Sequence, residues 1–173
     1  ALVESGERGR AAIDRALSGN GTYACSSCHR QERAFTDGRA RAVGSTGESH
    51  PRGAPSLANV AYFATLTWAD PRLTRLEDQA RIPMLNQHPV ELGLAGREDD
   101  LLGRLRESPD YRSRFSAAFP DGRDPISLLN VTRAIASFER TLISGDSPYD
   151  RLLYRDEAGA LTEAARRGMR LFF

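Results

Sequence analysis

Two thiols and an imidazole stand together at Cys25-Ser26-Ser27-Cys28-His29. The pattern C-x-x-C-H is the c-type haem attachment signature. Its spacing has a physical basis. The thiols add to the vinyl groups of neighbouring pyrroles, and two intervening residues let both reach one side of a rigid ring. The next residue then lies under the iron, where a neutral imidazole is a good proximal ligand. The other ring nitrogen of such a ligand usually donates to a carbonyl or carboxylate that fixes the ring. The motif therefore predicts a covalent haem c held by Cys25 and Cys28, with His29 on the iron.

Three other chemistries fit the two thiols less well. A zinc site wants a second C-x-x-C or an H-x₃₋₅-H pair. The chain has neither, and His50 and His88 would have to complete the site by the accident of folding. A thioredoxin-like redox pair expects a βαβ context, and no such pattern is seen. A Cys25–Cys28 disulfide is compatible with the spacing but leaves His29 without a role. Because haem is joined to apocytochromes outside the cytoplasm, the motif also points to a periplasmic location.

The elements that must position this motif are mostly helical. Glu7 to Leu17 puts Gly9, Ile13, Ala16 and Leu17 on one face and stops at Ser18-Gly19-Asn20-Gly21. Arg30 to Ser56 is polar, aperiodic and rich in Gly, Ser and Arg, so it is expected to be a long ordered loop wrapped on something. Arg30, Arg33, Arg39, Arg41 and Arg52 in it are candidate partners for haem propionates, since Arg pairs with carboxylates in bidentate fashion. Phe35 and Tyr23 flank the motif and are candidate walls for the ring. Leu57 to Leu66 suits a short helix or an extended segment. A short helix is expected over Thr74 to Ala80, halted near Pro83. Two more follow at Asp99 to Arg106 and Pro109 to Phe119. The clearest begins with Asp124 as cap and Pro125 at its first position, carries Leu128, Val131, Ile135, Phe138 and Leu142 inward, and ends at Gly145. No stretch alternates like a strand. The fold class is mostly α, a cytochrome c-like helical domain with long haem-wrapping loops.

The 173 residues can bury one ordinary core. With 24 Lys and Arg against 23 Asp and Glu, the net charge of +1 gives no reason to expect a nucleic-acid partner. No apolar run approaches the roughly 18 residues of a transmembrane helix. Ala1 to Gly21 is charged and helix-like, unlike a signal peptide. Leu161, Ala165, Gly168 and Phe172 mark a last amphipathic helix, inside which the chain stops. Arg167-Gly168-Met169-Arg170 also echoes Arg8-Gly9-Arg10, a short hint of internal repetition.

Several further stretches stand in a recognisable order: Ala34-Phe35-Thr36-Asp37-Gly38, Arg52-Gly53-Ala54-Pro55-Ser56-Leu57-Ala58-Asn59-Val60-Ala61-Tyr62, Leu76-Glu77-Asp78-Gln79-Ala80, Pro89-Val90-Glu91-Leu92-Gly93, Ser137-Phe138-Glu139-Arg140-Thr141-Leu142 and Ser147-Pro148-Tyr149-Asp150. Together with the haem motif they resemble the di-haem cytochrome c peroxidase and MauG family. Thr67-Trp68-Ala69 and His88-Pro89-Val90-Glu91-Leu92-Gly93 look closest to its MbnH branch, the MauG-like enzymes associated with MbnP-type partner proteins.

The resemblance covers the family's N-terminal haem domain. It implies that residues 1–160 form the peroxidatic domain and that 161–173 begin a second haem domain lying outside this chain, with a second haem c expected there. It implies a haem-c oxidoreductase that activates hydrogen peroxide to a high-valent iron species and oxidises a residue of a partner protein. The alternatives are a peroxidase fed electrons by a small redox protein and, from a different class, a non-catalytic electron-transfer cytochrome, for which Met84 is the better of two candidate sixth ligands. The resemblance also assigns roles. His29 is the proximal ligand. Gln79, Pro83 and Glu91 line the distal face, with Glu91 as acid and base. Trp68 carries electrons between the haems. Three departures stand out. The interval from Pro83 to Glu91 is two residues longer than is typical. His50, a candidate distal ligand, is out of the usual register. Gly53 replaces the Asn that helps bind an interdomain calcium, which argues against Ca²⁺.

Overall fold

The structure is a computed structural model that describes residues 14–67, 70–121 and 123–173. Among these residues all regular structure is helical. Pairing of extended backbone is confined to isolated bridges at Arg30–Thr36, Val43–Ser49 and Gln87–Val90. No helix among them is long and apolar enough to cross a membrane. The chain divides into two compact units, Ala1–Leu142 and Ile143–Phe173.

In the first unit, Arg15–Leu17 forms one 3₁₀ turn capped by Asp14, whose Oδ1 accepts from the Ala16 N–H at 2.8 Å. The rest of the helix expected from Glu7 lies outside the described residues. Helix α1 (Cys25–Cys28) is a single turn. Helices α2 (Leu76–Gln79) and α3 (Arg81–Leu85) meet at Ala80, which keeps right-handed helical angles. Pro83 was expected to halt the chain's helicity. It lies within α3 instead, and because it has no N–H to give the Gln79 carbonyl, it divides one helix into two.

Helix α4 (Glu98–Glu107) carries Glu98, Asp99 and Asp100 in its first turn and Arg104 and Arg106 in its last, matching its dipole. In α5 (Pro109–Ala118) Ser108 is the cap and Pro109 fills the first position. The cap of α6 (Leu128–Glu139) differs from expectation. Ser127 accepts from the Asn130 N–H, whereas Asp124 accepts from the Ile126 N–H and pairs with Arg106. The helix also ends at Glu139, before Leu142 and Gly145.

Leu17, Met84, Leu94, Leu101, Leu105 and Val131 are almost wholly buried in the main core. Each such side chain contributes roughly 1.5–3 kcal/mol by leaving water. A second cluster joins Val60, Leu66, Leu76 and Ala136. Arg104 ties α4 to the segment before α1, donating from Nη2 to the Ala16 and Ser18 carbonyls, both at 3.0 Å.

The long loop over 30–56 is held by the loop over 86–94. Ser45 N–H donates to the Glu91 carbonyl at 2.8 Å, and Val90 N–H donates to Glu48 Oε2 at 3.0 Å. The approach is so close that a Cβ on Gly44 would stand 1.8 Å from the Val90 carbonyl oxygen.

The second unit holds α7 (Pro148–Tyr154), opened by a Ser147–Asp150 capping box, and α8 (Glu163–Phe172), capped by Thr162. Leu161, Ala165, Gly168 and Phe172 share one apolar face of this unit with Tyr149, as the periodicity predicts.

Replacing Gly44 with Ala should force the two loops apart. We expect a loss of about 1–3 kcal/mol, the usual cost of overpacking, read as a lower urea midpoint. An unchanged midpoint would mean that the Gly44–Val90 approach constrains nothing.

Candidate functional site

The haem motif occupies α1 and the residue that ends it. His29 N–H donates to the Cys25 carbonyl at 2.8 Å and closes the turn. A 3₁₀ turn over Gln31–Arg33 follows, and then Ala34 and Phe35 both take left-handed angles, with φ of 52° and 62°. Such angles cost a side-chain-bearing residue roughly 1–2 kcal/mol. Their effect is to turn the Phe35 carbonyl back onto His29, whose Nδ1 lies 2.8 Å from it. Two hydroxyls hold the turn. Ser56 donates to the Ala34 carbonyl, and Thr36 donates to the Ala54 carbonyl at 2.7 Å.

A carbonyl can only accept, so Nδ1 carries the proton and Nε2 keeps its lone pair. Burial pushes the His29 pKa down, against the opposing pull of the Phe35 carbonyl. The ring is therefore neutral and fixed in the tautomer a metal ligand needs.

Cys25, Cys28 and His29 lie on the wall of a cavity of about 1460 Å³. An ordinary small-molecule pocket is roughly 300–1,000 Å³. Apolar side chains dominate the lining, among them Phe35, Leu57, Val60, Leu66, Ile135 and Phe138. Gln79, Pro83, Glu91 and His50 line the same cavity, so the structure brings these sequence-selected residues together with the motif. Trp68 lies outside the described residues. Met84 reaches the cavity wall, whereas Met169 belongs to the second unit. Of the candidate arginines, Arg30 and Arg52 line the cavity and Arg33, Arg39 and Arg41 do not.

The long interval between Pro83 and Glu91 doubles back on itself. Asn86 Nδ2 donates to the His88 and Pro89 carbonyls at 3.0 and 3.2 Å, and Leu92 N–H donates to the Pro83 carbonyl at 2.9 Å. This stretch forms a turn that returns Glu91 beside Pro83. His50 Nδ1 stands 3.7 Å from Glu91 Oε1. Glu91 keeps accessible surface but spends it on the cavity, so burial pushes its pKa up while His50 pulls it down. His88, its closer neighbour in sequence, is exposed.

The thiols discriminate among the chemistries open to the motif. Burial, with help from nearby carboxylates, pushes Cys25 up to about 12; burial also leads in pushing Cys28 up to about 11. Among the described residues no group of three or more His, Cys, Asp or Glu is placed to complete a zinc site with them. The two thiols are not bonded to each other. Two neutral thiols and a neutral imidazole with a free Nε2, on one wall of a large apolar cavity, fit haem c.

One cavity residue was not singled out from the sequence. Glu139 is 6% exposed, lines the cavity, and has an Oε2 with no hydrogen-bond partner among the described residues. Burial pushes its pKa up to about 7. The signal was a carboxylate continuing the i+4 row of Val131 and Ile135, where an apolar residue belongs.

Comparison with known proteins agrees with this geometry. A family model described as di-haem cytochrome c peroxidase matches residues 12–158. The methylamine utilization protein MauG of Methylophilus methylotrophus is 38% identical over 160 residues, covering 92% of this chain and 45% of that protein. The cytochrome c peroxidase of Escherichia coli K12 is 36% identical over 159 residues, covering 92% of this chain and 32% of that protein. The crystal structure of a MauG-like protein associated with microbial copper homeostasis superposes with a TM-score of 0.90 at 46% identity, covering 96% of this chain and 47% of that one. This chain spans about half or less of the length of these relatives. The match along residues 12–158 and the motif-bearing cavity together show that the chain belongs to the di-haem cytochrome c peroxidase family, whose cofactor is covalently bound haem c.

Proposed function

We propose that this chain is the peroxide-reacting haem domain, spanning residues 1–160, of a MauG-like enzyme that oxidises a residue of a partner protein. The observation that carries the reading is the meeting of Gln79, Pro83 and Glu91 with Cys25, Cys28 and His29 around one cavity. Cys25 and Cys28 would hold the haem by thioether bonds, and His29 Nε2 would hold its iron. When bound, the haem supplies a centre that binds peroxide and exchanges single electrons.

The protein's own residues manage the protons and the placement. Hydrogen peroxide must lose a proton to bind and regain one on its outer oxygen as the O–O bond breaks. Glu91 accepts the first on its carboxylate and returns it as a carboxylic acid. Its raised pKa brings these two forms closer in energy near neutrality. His50, at 3.7 Å, orients the carboxylate. Gln79 hydrogen-bonds the peroxide or an intervening water and so places it. Pro83 has no N–H and offers no competing donor. Trp68 would carry electrons to this domain from a second haem c, expected in the domain that residues 161–173 begin. Gly53 stands where the resemblance places a calcium-binding Asn, which argues against Ca²⁺. Haem attachment outside the cytoplasm makes the location periplasmic.

The identity and TM-score to the MauG-like neighbour favour a protein substrate, and that neighbour's association with copper homeostasis suggests a partner in the same process. The E. coli relative supports a second reading, in which a small redox protein supplies electrons and peroxide goes to water.

Two measurements test these readings in the full-length protein. Glu91→Gln should slow the absorbance change on mixing with peroxide by roughly 10²–10⁴-fold, with haem still attached by mass; an unchanged rate removes Glu91 from its role. Peroxide consumption with a reduced c-type cytochrome as donor should be negligible. Sustained turnover would overturn the protein-oxidising reading in favour of the peroxidase.

A further inference from the structure

Glu139 is a carboxylate in a place that does little to stabilise its charge. It closes α6 with its side chain on the cavity wall, and its Oε2 meets no hydrogen-bond donor among the described residues. The charged and titratable groups around it do little to neutralise it. Arg140 on the same helix pulls its pKa down, but the Arg140 Nη1 is held 2.8 Å from Glu77 Oε1. Glu77 itself, on α2, pushes Glu139 up. Cys25 on α1 is a neutral thiol whose pKa is raised first by burial and next by the Glu139 charge. Glu139 is thus within electrostatic reach of the residue that would anchor the ring.

A ferric haem carries one more positive charge than a ferrous one. In a poorly polarisable cavity that charge favours a nearby carboxylate, and its removal favours the carboxylic acid. Resting on the haem reading above, we propose that Glu139 is a proton-exchanging group coupled to the charge of the haem at Cys25 and Cys28. It holds a proton on Oε2 while the iron is ferrous and releases it while the iron is ferric. The step balances. The ferric site with ionised Glu139 takes one electron from an external reductant and one proton from solvent. The product is the ferrous site with neutral Glu139, and the O–H bond of Glu139 is the only bond formed. Burial, opposed by Arg140 and aided by Glu77, brings the group to about 7, so the exchange falls in the neutral range.

Reduction should therefore become harder as pH rises. The test is a spectroelectrochemical titration of the haem at Cys25 and Cys28 in the full-length, haem-loaded protein, from about pH 5.5 to about pH 8.5, which brackets a carboxyl titrating near neutrality. At fixed applied potential, the ferrous-to-ferric ratio should fall by up to tenfold per pH unit, about 59 mV. In Glu139→Gln the fall should be less than about twofold per unit by the same one-electron relation. Equal slopes in the two proteins overturn the assignment. If the Gln variant fails to fold or to load haem, reduced-minus-oxidised infrared spectra of the unmutated protein decide. Reduction should bring up the carbonyl stretch of a protonated carboxylic acid, and its absence overturns the proposal. A protein whose mass shows no thioether-bound haem sinks the haem reading and this assignment together; a haem-loaded protein with equal slopes sinks this assignment alone.

Discussion

The hydrogen bond from His29 Nδ1 to the Phe35 carbonyl is the constraint around which the first unit is arranged. An imidazole left free can rotate and can hold its proton on either nitrogen, and only one of those states presents Nε2 to a metal. The bond selects that state. It requires two successive residues with side chains at positive φ, a conformation that L-residues resist. The strain persists because hydroxyls from Thr36 and Ser56 fix the turn to the segment over 54–56. The order of causes runs from a strained turn, through a carbonyl direction, to a ligand tautomer.

The same cavity holds two raised carboxylates with unequal surroundings. Glu91 has an imidazole 3.7 Å away. Glu139 has a guanidinium next to it in sequence, but that guanidinium is engaged by Glu77. A partly exposed acid beside an imidazole and a buried acid whose neighbouring guanidinium is shared with Glu77 answer differently to a new charge in their cavity. On the readings proposed above, that division would let one carboxyl serve a substrate proton while the other follows the charge of the cofactor. Neither role requires the acid to move, only that its two protonation states lie close in energy.

What was legible in the sequence was whatever depends on neighbours along the chain. The C-x-x-C-H turn and the helices α4 and α5 follow from local spacing. Errors came where two local signals competed. Asp124 and Ser127 are both good caps, and the Arg106 guanidinium decided between them by occupying Asp124. Pro83 was given the weight of a terminator, yet inside a short helix it breaks only one hydrogen bond. Features made by distant segments left little trace. Phe35 lines the cavity as expected of its ring, but the role of its carbonyl, which any residue carries, left no mark in the sequence. Gly44 against Val90 is a contact between loops, and the residue type hints only that something comes close. Glu139 was visible as a charge in an apolar row, but a row ends in solvent as readily as in a cavity.

The cavity also explains why a long polar loop can persist without a sheet. Val60 and Leu66 on its wall belong to the smaller apolar cluster, whereas Met84, Leu92 and Ile135 belong to the main core. Adjacent residues of α6, Ile135 and Ala136, go one to each cluster. A domain of this size ordinarily has one contiguous core. Here two apolar clusters face a shared space of about 1460 Å³, and an apolar occupant would join them into one. Such an occupant binds the folded chain in preference to the unfolded one and stabilises it by mass action until the thioether bonds make the association permanent. The loop over 30–56 then closes over a filled interior, with Gly44 and Ser45 fastened to the segment that carries Glu91. The fastening of this loop and the placement of Glu91 are in this way consequences of the same loop-to-loop contact.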